Sequence, residues 1–188
     1  FHQPDDYWYL PPALPEGYWV GHFDLVVVRS PAELRSNVSG KGRWAVLAEP
    51  GPATESLGDH DPPGVTGGLD YARAIKTPYE VECMALATVA GVRAHRAAEQ
   101  AFRAGASEYE IHLAYCRAAA AREEELPYNN IIAFGMHAAV LHYQLLDRER
   151  PTDARSFLID AGAQHAGYAC DITRTYAADP GEFQDLIR

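Results

Sequence analysis

Two aspartates that lie eleven residues apart are the side chains of this sequence best suited to chemistry. Asp160 follows the apolar run Phe157–Ile159, and Asp171 lies inside the run Tyr168–Thr175. Both runs have the composition of β-strands, and the residues between Ala163 and Tyr168 are interpreted as a turn. The segment is therefore predicted to be a β-hairpin with one aspartate on each strand.

The register of this hairpin decides what the aspartates can do. A turn centred between His165 and Ala166 would place Asp160 directly opposite Asp171. Because side chains alternate along a strand, both carboxylates and Thr173 would then share one face. Directly opposed β-carbons are about 4.5–5.5 Å apart, and two carboxylates that close need a shared proton or a bound cation.

A cation is the interpretation that we favour for this carboxylate pair. Two-metal hydrolases hold their ions roughly 3.5–4 Å apart, a span that such a pair can bridge. Oxygen ligands suit Mn²⁺, Mg²⁺ and Ca²⁺, and Thr173 could orient an aspartate from the second shell of ligands. The alternative is that both residues only end strands or cap turns, which fits Asp160 better than Asp171, because the strand continues beyond Asp171.

Helix signals mark the part of the chain that precedes this hairpin. Thr77, Pro78 and Glu80 form a capping box that predicts a helix to about Ala104, with Gly105 as its stop. Ser107 and Glu110 form a second box, which predicts a helix to about Glu124. After Leu126-Pro127 the hydrophobic period changes, and a last helix starts within residues 180–188. The predicted strands of this region span residues 130–134, 138–143, 156–161 and 168–176.

The first 72 residues differ in composition and are predicted to form a separate domain. Nine of the thirteen prolines lie before residue 64. Strands are predicted at 23–28 and 44–47, with a helix from Pro31 capped by Ser30. The Gly-, Pro- and Asp-rich segment 49–68 reads as a loop with one helical turn. The predicted organisation is a partial amino-terminal α/β domain over residues 1–72 and a second domain over residues 73–188.

Composition excludes several classes of function. The formal net charge of −10, from 16 basic and 26 acidic side chains, disfavours nucleic-acid binding. No apolar run is long enough to span a bilayer, so no membrane partner is expected. Cys83, Cys116 and Cys170 are too few and too widely spaced for a disulfide framework. Together with the lack of a secretory signal, they lead us to expect a cytoplasmic protein.

Several segments resemble one known family. Asp160–Ala163 followed by Gly167–Thr175 resembles the signature of the pita-bread metallopeptidases, which include prolidase, aminopeptidase P and methionine aminopeptidase. Further segments resemble the bacterial Xaa-Pro dipeptidases within that family, namely Lys76–Glu80, Pro127–Ile132, His137–Tyr143, Arg155–Asp160 and, in the first domain, Asp6–Trp8 and Gly17–Trp19. The resemblance implies an α/β (α+β) fold: the amino-terminal half of a pita-bread catalytic domain, preceded by part of a smaller α/β domain.

The resemblance also implies roles for individual residues. Asp160 would bind one of two divalent metals, with Mn²⁺ the first choice, and Asp171 would bridge both. The remaining family ligands, a His and two Glu, come later than Arg188. His142 matches a histidine that contacts substrate and is given a catalytic role, although a histidine in an apolar strand is otherwise more often a core residue. Tyr128 and Leu141 match residues that line the substrate pocket.

The activity implied is hydrolysis of Xaa-Pro dipeptides that carry a free carboxyl-terminal proline, by a hydroxide that bridges two metals. The substrate would be a small dipeptide and the assembly a homodimer. Two alternatives stay open at this point: organophosphorus acid anhydrolase activity at the same site, and a metal-free pita-bread binding protein. Retention of both aspartates argues against the second. Residues 134–136 and Gln144 depart from the subfamily pattern near the substrate side.

Overall fold

The structure, a computed structural model, describes residues 1, 3, 7–38, 44–51, 54–55, 57–152 and 154–187. Asp6, one of the residues that carried the resemblance, lies outside this set. The chain divides into two compact units, Phe1–Ile75 and Lys76–Arg188. Among the described residues, no helix has both the length and the apolar character that a membrane span requires.

The first unit contains short elements. They are a 3₁₀ helix at Tyr18–His22, α1 at Pro31–Val38, β1 at Ala45–Val46, β2 at Asp59–His60 and α2 at Pro63–Ala74. Strands β1 and β2 pair in parallel. The predicted cap of α1 is confirmed, because the Ser30 hydroxyl accepts a hydrogen bond from the backbone N–H of Glu33 at 3.2 Å.

Three predictions for the first unit need correction. The strand predicted at 23–28 is wrong, since only Val28 forms a bridge, with hydrogen bonds to Phe1 and Gln3, and a strand needs partners along its length. The strand predicted at 44–47 shrinks to β1. The predicted loop 49–68 contains β2 and the start of α2, where glycines had masked the helical potential.

The second unit contains two long helices and the main sheet. Its elements are α3 at Pro78–Arg103, α4 at Glu108–Ala119, 3₁₀ helices at Glu123–Glu125 and Gly135–Ala139, β3 at Ile131–Phe134, β4 at Ser156–Ala161, β5 at Gln164–His165, β6 at Tyr168–Ala169, β7 at Ile172–Ala177 and α5 at Glu182–Leu186. Both predicted capping boxes are present, at Thr77–Glu80 and Ser107–Glu110. The stop predicted at Gly105 is also confirmed, with a φ of +93°.

Helix α4 ends five residues earlier than the sequence indicated. Ala120 adopts the left-handed conformation, with φ 58°, and its N–H bonds the carbonyls of Cys116 and Arg117. The three glutamates at 123–125 lie in a separate 3₁₀ helix. Negative charges at the carboxyl end of a helix oppose its dipole, so stopping α4 before these glutamates avoids an unfavourable interaction.

The sheet of the second unit has the antiparallel order β3-β4-β7, with β4 in the centre. One face packs on α3 and α4 and forms the core. This core includes Ala94, Ala98, Phe102, Ile111, Tyr115, Leu126, Ile132, Phe134, Phe157, Ile159 and Ala161. Along β4 burial alternates, so that Phe157, Ile159 and Ala161 are buried while Leu158 and Asp160 occupy the opposite face.

The register predicted for the aspartate hairpin is wrong by two residues. In β4 and β7, Asp160 pairs with Thr173, and at the tip His165 pairs with Tyr168. The turn is therefore Ala166-Gly167, whose positive φ values of 50° and 83° suit a two-residue hairpin turn. Because the pairing shifts by two residues, side-chain parity is preserved, and Asp171 shares the face of Asp160 as its diagonal neighbour.

The strand predicted at 138–143 is also wrong. After β3 the chain enters the 3₁₀ helix Gly135–Ala139, which begins at a φ of +49°, and the described residues from there to β4 form no strand. The predicted strand 168–176 is present in two pieces, β6 and β7, which Cys170 and Asp171 separate. Both changes affect residues that the sequence had marked as functional.

Candidate metal and substrate site

Four of the residues singled out in the sequence meet in one cleft of the second unit. Tyr128, His142, Asp160 and Asp171 line a space of about 520 Å³. Asn129, Ile131 and Gln144 complete its wall. The cleft lies on the face of the sheet opposite the helices, because Ile131 pairs with Asp160 and so shares its side of β3 and β4.

Burial of the neighbouring residues directs each aspartate into the cleft. Ile159 and Ala161 are completely buried against the helices, which turns Asp160 to the other face. Cys170 is buried against α3, where its thiol donates to the carbonyl of Ala87 at 3.4 Å. Asp171, the next residue along the chain, therefore faces away from α3.

Helix α3 can approach the hairpin this closely because residue 91 is a glycine. A β-carbon at Gly91 would lie 2.6 Å from the Cys170 sulfur and 3.2 Å from Ile172. These contacts are far shorter than ordinary van der Waals separation, so a larger residue would push the hairpin outward. Gly91 thus fixes the depth at which the strand that carries Asp171 packs.

The hydroxyl of Tyr128 joins the two carboxylates. Its oxygen lies 2.9 Å from Oδ1 of Asp160 and 2.7 Å from Oδ1 of Asp171. Burial raises the pKa of Tyr128, and the hydrogen bonds to the two aspartates raise it further, so the phenol stays protonated and acts as a donor. Both carboxylates therefore lie within reach of a single atom.

The position of the Tyr128 ring depends on Gly162. A β-carbon at Gly162 would lie 2.8 Å from Tyr128 Cε1 and 2.8 Å from Pro127 Cγ, and would overlap the carbonyl oxygen of Cys170. The register places Gly162 opposite Asp171. The absence of a side chain at this position leaves the space in which the tyrosine ring reaches both aspartates.

The potential metal ligands in this cleft fit a hard divalent cation. Two carboxylates share one phenolic proton, and none of the described residues that line the cleft is a lysine or an arginine. The charge of both aspartates is therefore not neutralised by side chains of the cleft wall, which favours a bound cation. Carboxylate oxygens, with an imidazole nearby, suit Mn²⁺ and related ions.

Two residues proposed from the sequence stand apart from this arrangement. Leu141 is 83% exposed and is not among the residues that line the cleft. Thr173 is exposed and lies beside Asp160 as its partner in the β4–β7 ladder. His142 lines the cleft and is exposed, so its imidazole is accessible from solvent.

Sequence reasoning missed two buried polar groups near the site. His95 donates from Nε2 to the carbonyl of Ala161 at 3.0 Å, directly after Asp160, and burial lowers the pKa of its imidazole. Glu108, in the first turn of α4, is fully buried. In the sequence Glu108 reads only as an acidic residue that favours a helix amino terminus, because its partners lie 26 to 39 residues further on.

Comparison with known proteins matches both units of the chain. The model of metallopeptidase family M24 matches residues 82–188, and that of the Xaa-Pro dipeptidase N-terminal domain matches residues 1–71. A curated Xaa-Pro dipeptidase of Xanthomonas campestris pv. campestris (strain B100) is 53% identical over 189 residues, covering 100% of this chain. That of Stenotrophomonas maltophilia (strain R551-3) is 52% identical over 179 residues, or 95% of this chain.

These relatives are longer than the chain, which spans 43% and 40% of their respective lengths. Solved structures support the fold. Prolidase from Pyrococcus furiosus superposes with a TM-score of 0.67 at 21% identity, over 80% of this chain and 49% of that one. X-Pro aminopeptidase from Thermotoga maritima gives 0.65 at 18% identity, over 89% and 53%. The pita-bread architecture expected from the hairpin signature is therefore confirmed.

Proposed function

Because the chain belongs to metallopeptidase family M24, we propose that the protein is a metal-dependent dipeptidase that hydrolyses Xaa-Pro dipeptides. Asp160 and Asp171 are two of its metal ligands in this proposal. The observation that carries it is the meeting of both carboxylates around the Tyr128 hydroxyl, in a cleft that His142 also lines. The names of the curated relatives support the choice of substrate.

Each residue of the cleft has a part in this proposal. Two divalent ions, with Mn²⁺ the first choice, would supply an activated water nucleophile and polarise the carbonyl that precedes proline. Tyr128 keeps the two aspartates oriented through its hydrogen bonds. Thr173, beside Asp160 in the ladder, supports that carboxylate from the neighbouring strand. The protein would work as a homodimer in the cytoplasm.

Recognition of the substrate requires more than backbone hydrogen bonding. The amide nitrogen of an Xaa-Pro bond carries no hydrogen, so the enzyme must grip the proline ring and its free carboxylate. His142 is the accessible imidazole of the cleft and would donate a hydrogen bond to that carboxylate or to the developing oxyanion. Leu141, exposed beside it, would form an apolar wall once substrate is bound.

The test is made on the intact protein loaded with Mn²⁺. We expect hydrolysis of Gly-Pro, and we expect Asp160→Ala and Asp171→Ala each to lower kcat/KM by about 10³-fold, since loss of a ligand removes several kcal/mol of transition-state stabilisation. Bound metal, measured by elemental analysis, should fall in both variants.

The matched control is Asp179→Ala, which removes an exposed aspartate from a different depression of the surface. This variant should retain both bound metal and activity. The proposal fails if Asp160→Ala and Asp171→Ala retain wild-type Mn²⁺ content and turnover.

A further inference from the structure

The buried carboxylate of Glu108 has four hydrogen-bond donors. Its Oε1 accepts from the backbone N–H of Phe134 and from Nδ1 of His137, each at 2.8 Å. Its Oε2 accepts from the hydroxyl of Tyr143 at 2.7 Å and from the backbone N–H of Asp147 at 2.9 Å. A carboxylate in the first turn of a helix does not need these partners, so the contacts point to a further role for Glu108.

The contacts argue for a structural anchor and against a metal at this position. Glu108, His137 and Asp147 bring potential ligand atoms within 4.8 Å of one another. A carboxylate offers about four lone-pair directions, and at Glu108 each is already taken by a donor. A cation would have to displace these bonds.

Two of the four donors, Phe134 and Asp147, flank the segment that carries His142. Phe134 ends β3 and Asp147 lies thirteen residues later, so Glu108 holds both ends of the intervening chain. This segment, residues 135–146, is called the His142 loop below. The loop, whose residues are all described, begins with a 3₁₀ helix and contains no strand. Its path therefore depends on side-chain contacts.

Glu108 also fixes the middle of the His142 loop. Tyr143 is 4% exposed, and its hydroxyl bonds Glu108, while the ring of His137 stacks on the Tyr143 ring at 4.4 Å and 20°. His142, the residue before Tyr143, lines the aspartate cleft. The buried tyrosine and the exposed histidine are adjacent in the chain, so anchoring Tyr143 restricts where the His142 imidazole can lie.

We propose that Glu108 is a positioning residue for His142, acting through the Tyr143 hydroxyl and the two backbone bonds at the ends of the His142 loop. This inference rests on the proposed function in its assignment of a substrate contact to His142. The anchoring of the loop itself is independent of that assignment, and this difference allows the two to be tested separately.

The experiment uses Glu108→Gln in the intact, Mn²⁺-loaded protein with Gly-Pro as substrate. Glutamine keeps the shape but replaces an acceptor oxygen by an NH₂ group that faces donors. We expect kcat/KM to fall about 10²-fold, the order of loss that a misplacement near 1 Å produces, with Mn²⁺ content unchanged. The control, Glu110→Gln, weakens the capping box of the same helix without touching the loop and should stay within about 3-fold of wild type.

A double-mutant cycle separates positioning from general destabilisation. In a His142→Ala background, Glu108→Gln should lower kcat/KM further by less than about 3-fold, because the residue that Glu108 positions is gone. The proposal is overturned if the loss of kcat/KM in the double variant equals the product of the losses in the two single variants. Should Glu108→Gln fail to fold, Tyr143→Phe decides in its place: it removes one of the four donors, and we expect about a 10-fold loss of kcat/KM that also vanishes in the His142→Ala background.

Amide hydrogen exchange distinguishes failure of this inference from failure of the proposed function. Exchange in residues 135–146 should accelerate at least 10-fold in Glu108→Gln or, if that variant does not fold, in Tyr143→Phe, whether or not the wild-type protein hydrolyses Gly-Pro. Unchanged exchange overturns the anchoring. Faster exchange in the variant, combined with a wild-type protein that has no dipeptidase activity, would sink the proposed function and the role given to His142, and leave the anchor.

Discussion

Tyr128 gains a second role once its side chain is placed in the structure. From the sequence, its resemblance to a pocket residue predicted only a contact with substrate. The structure shows its hydroxyl in contact with both aspartates, and Gly162 leaves the space for its ring. A contact across 32 and 43 residues has no local sequence pattern, so its discovery required the fold.

Removal of this hydroxyl should weaken metal binding without dismantling the site. For Tyr128→Phe in the intact protein, we expect the dissociation constant for Mn²⁺ to rise about 10-fold, within the range typical of residues that orient metal ligands. Calorimetric titration with Mn²⁺ measures the change. Tyr168→Phe, which removes a hydroxyl bonded to Glu80 away from the cleft, is the matched control and should bind as wild type does. Equal affinities for both variants would contradict the role given to Tyr128.

At the scale of elements, the sequence predicted those features that neighbouring residues determine and missed those that distant residues determine. The capping boxes at Thr77 and Ser107 are satisfied within four residues, so the starts of α3 and α4 were predictable. The strand predicted at 138–143 falls within the His142 loop, whose path is fixed by Glu108, a residue too far away in sequence to leave a local pattern. The hairpin lies between these cases: its strands were predicted, but an alanine at a positive φ hid the true turn.

The turn of this hairpin offers a direct test of the observed register. Ala166 adopts φ 50° and Gly167 φ 83°, a pair of values that favours Asn-Gly. We expect Ala166→Asn to stabilise the protein by about 0.5–1 kcal/mol and Gly167→Ala to destabilise it by about 1 kcal/mol, because alanine is strained at positive φ. Urea unfolding of the intact variants provides both values. The register first predicted would instead place the turn at His165-Ala166, so that Gly167→Ala would cost little.

For the molecule as a whole, the described residues of the cleft offer fewer strong ligands than a hard divalent cation takes. The cleft supplies two carboxylates and one accessible imidazole, whereas hard divalent cations take about six or more ligands, with several from protein in tight sites. The chain spans 43% of the length of its curated relatives from Xanthomonas. The family resemblance predicts that the other ligands, a His and two Glu, lie in a portion of sequence that these longer relatives have beyond the matched part, so we expect complete binding only of a protein of their length.

This expectation can be tested by comparing a polypeptide of residues 1–188 alone with the intact protein. Two carboxylates should hold Mn²⁺ with a dissociation constant of about 10⁻³ M or weaker, the weak end for oxygen-ligand sites. At 1 mM Mn²⁺ the gain in unfolding free energy would then be at most about 0.4 kcal/mol, too little for a clear shift in Tm. The intact protein should show a large shift and hydrolyse Gly-Pro, and the shorter polypeptide should do neither. Turnover by residues 1–188 at the intact rate would show that Asp160, Asp171 and His142 suffice, and that the remaining ligands are dispensable.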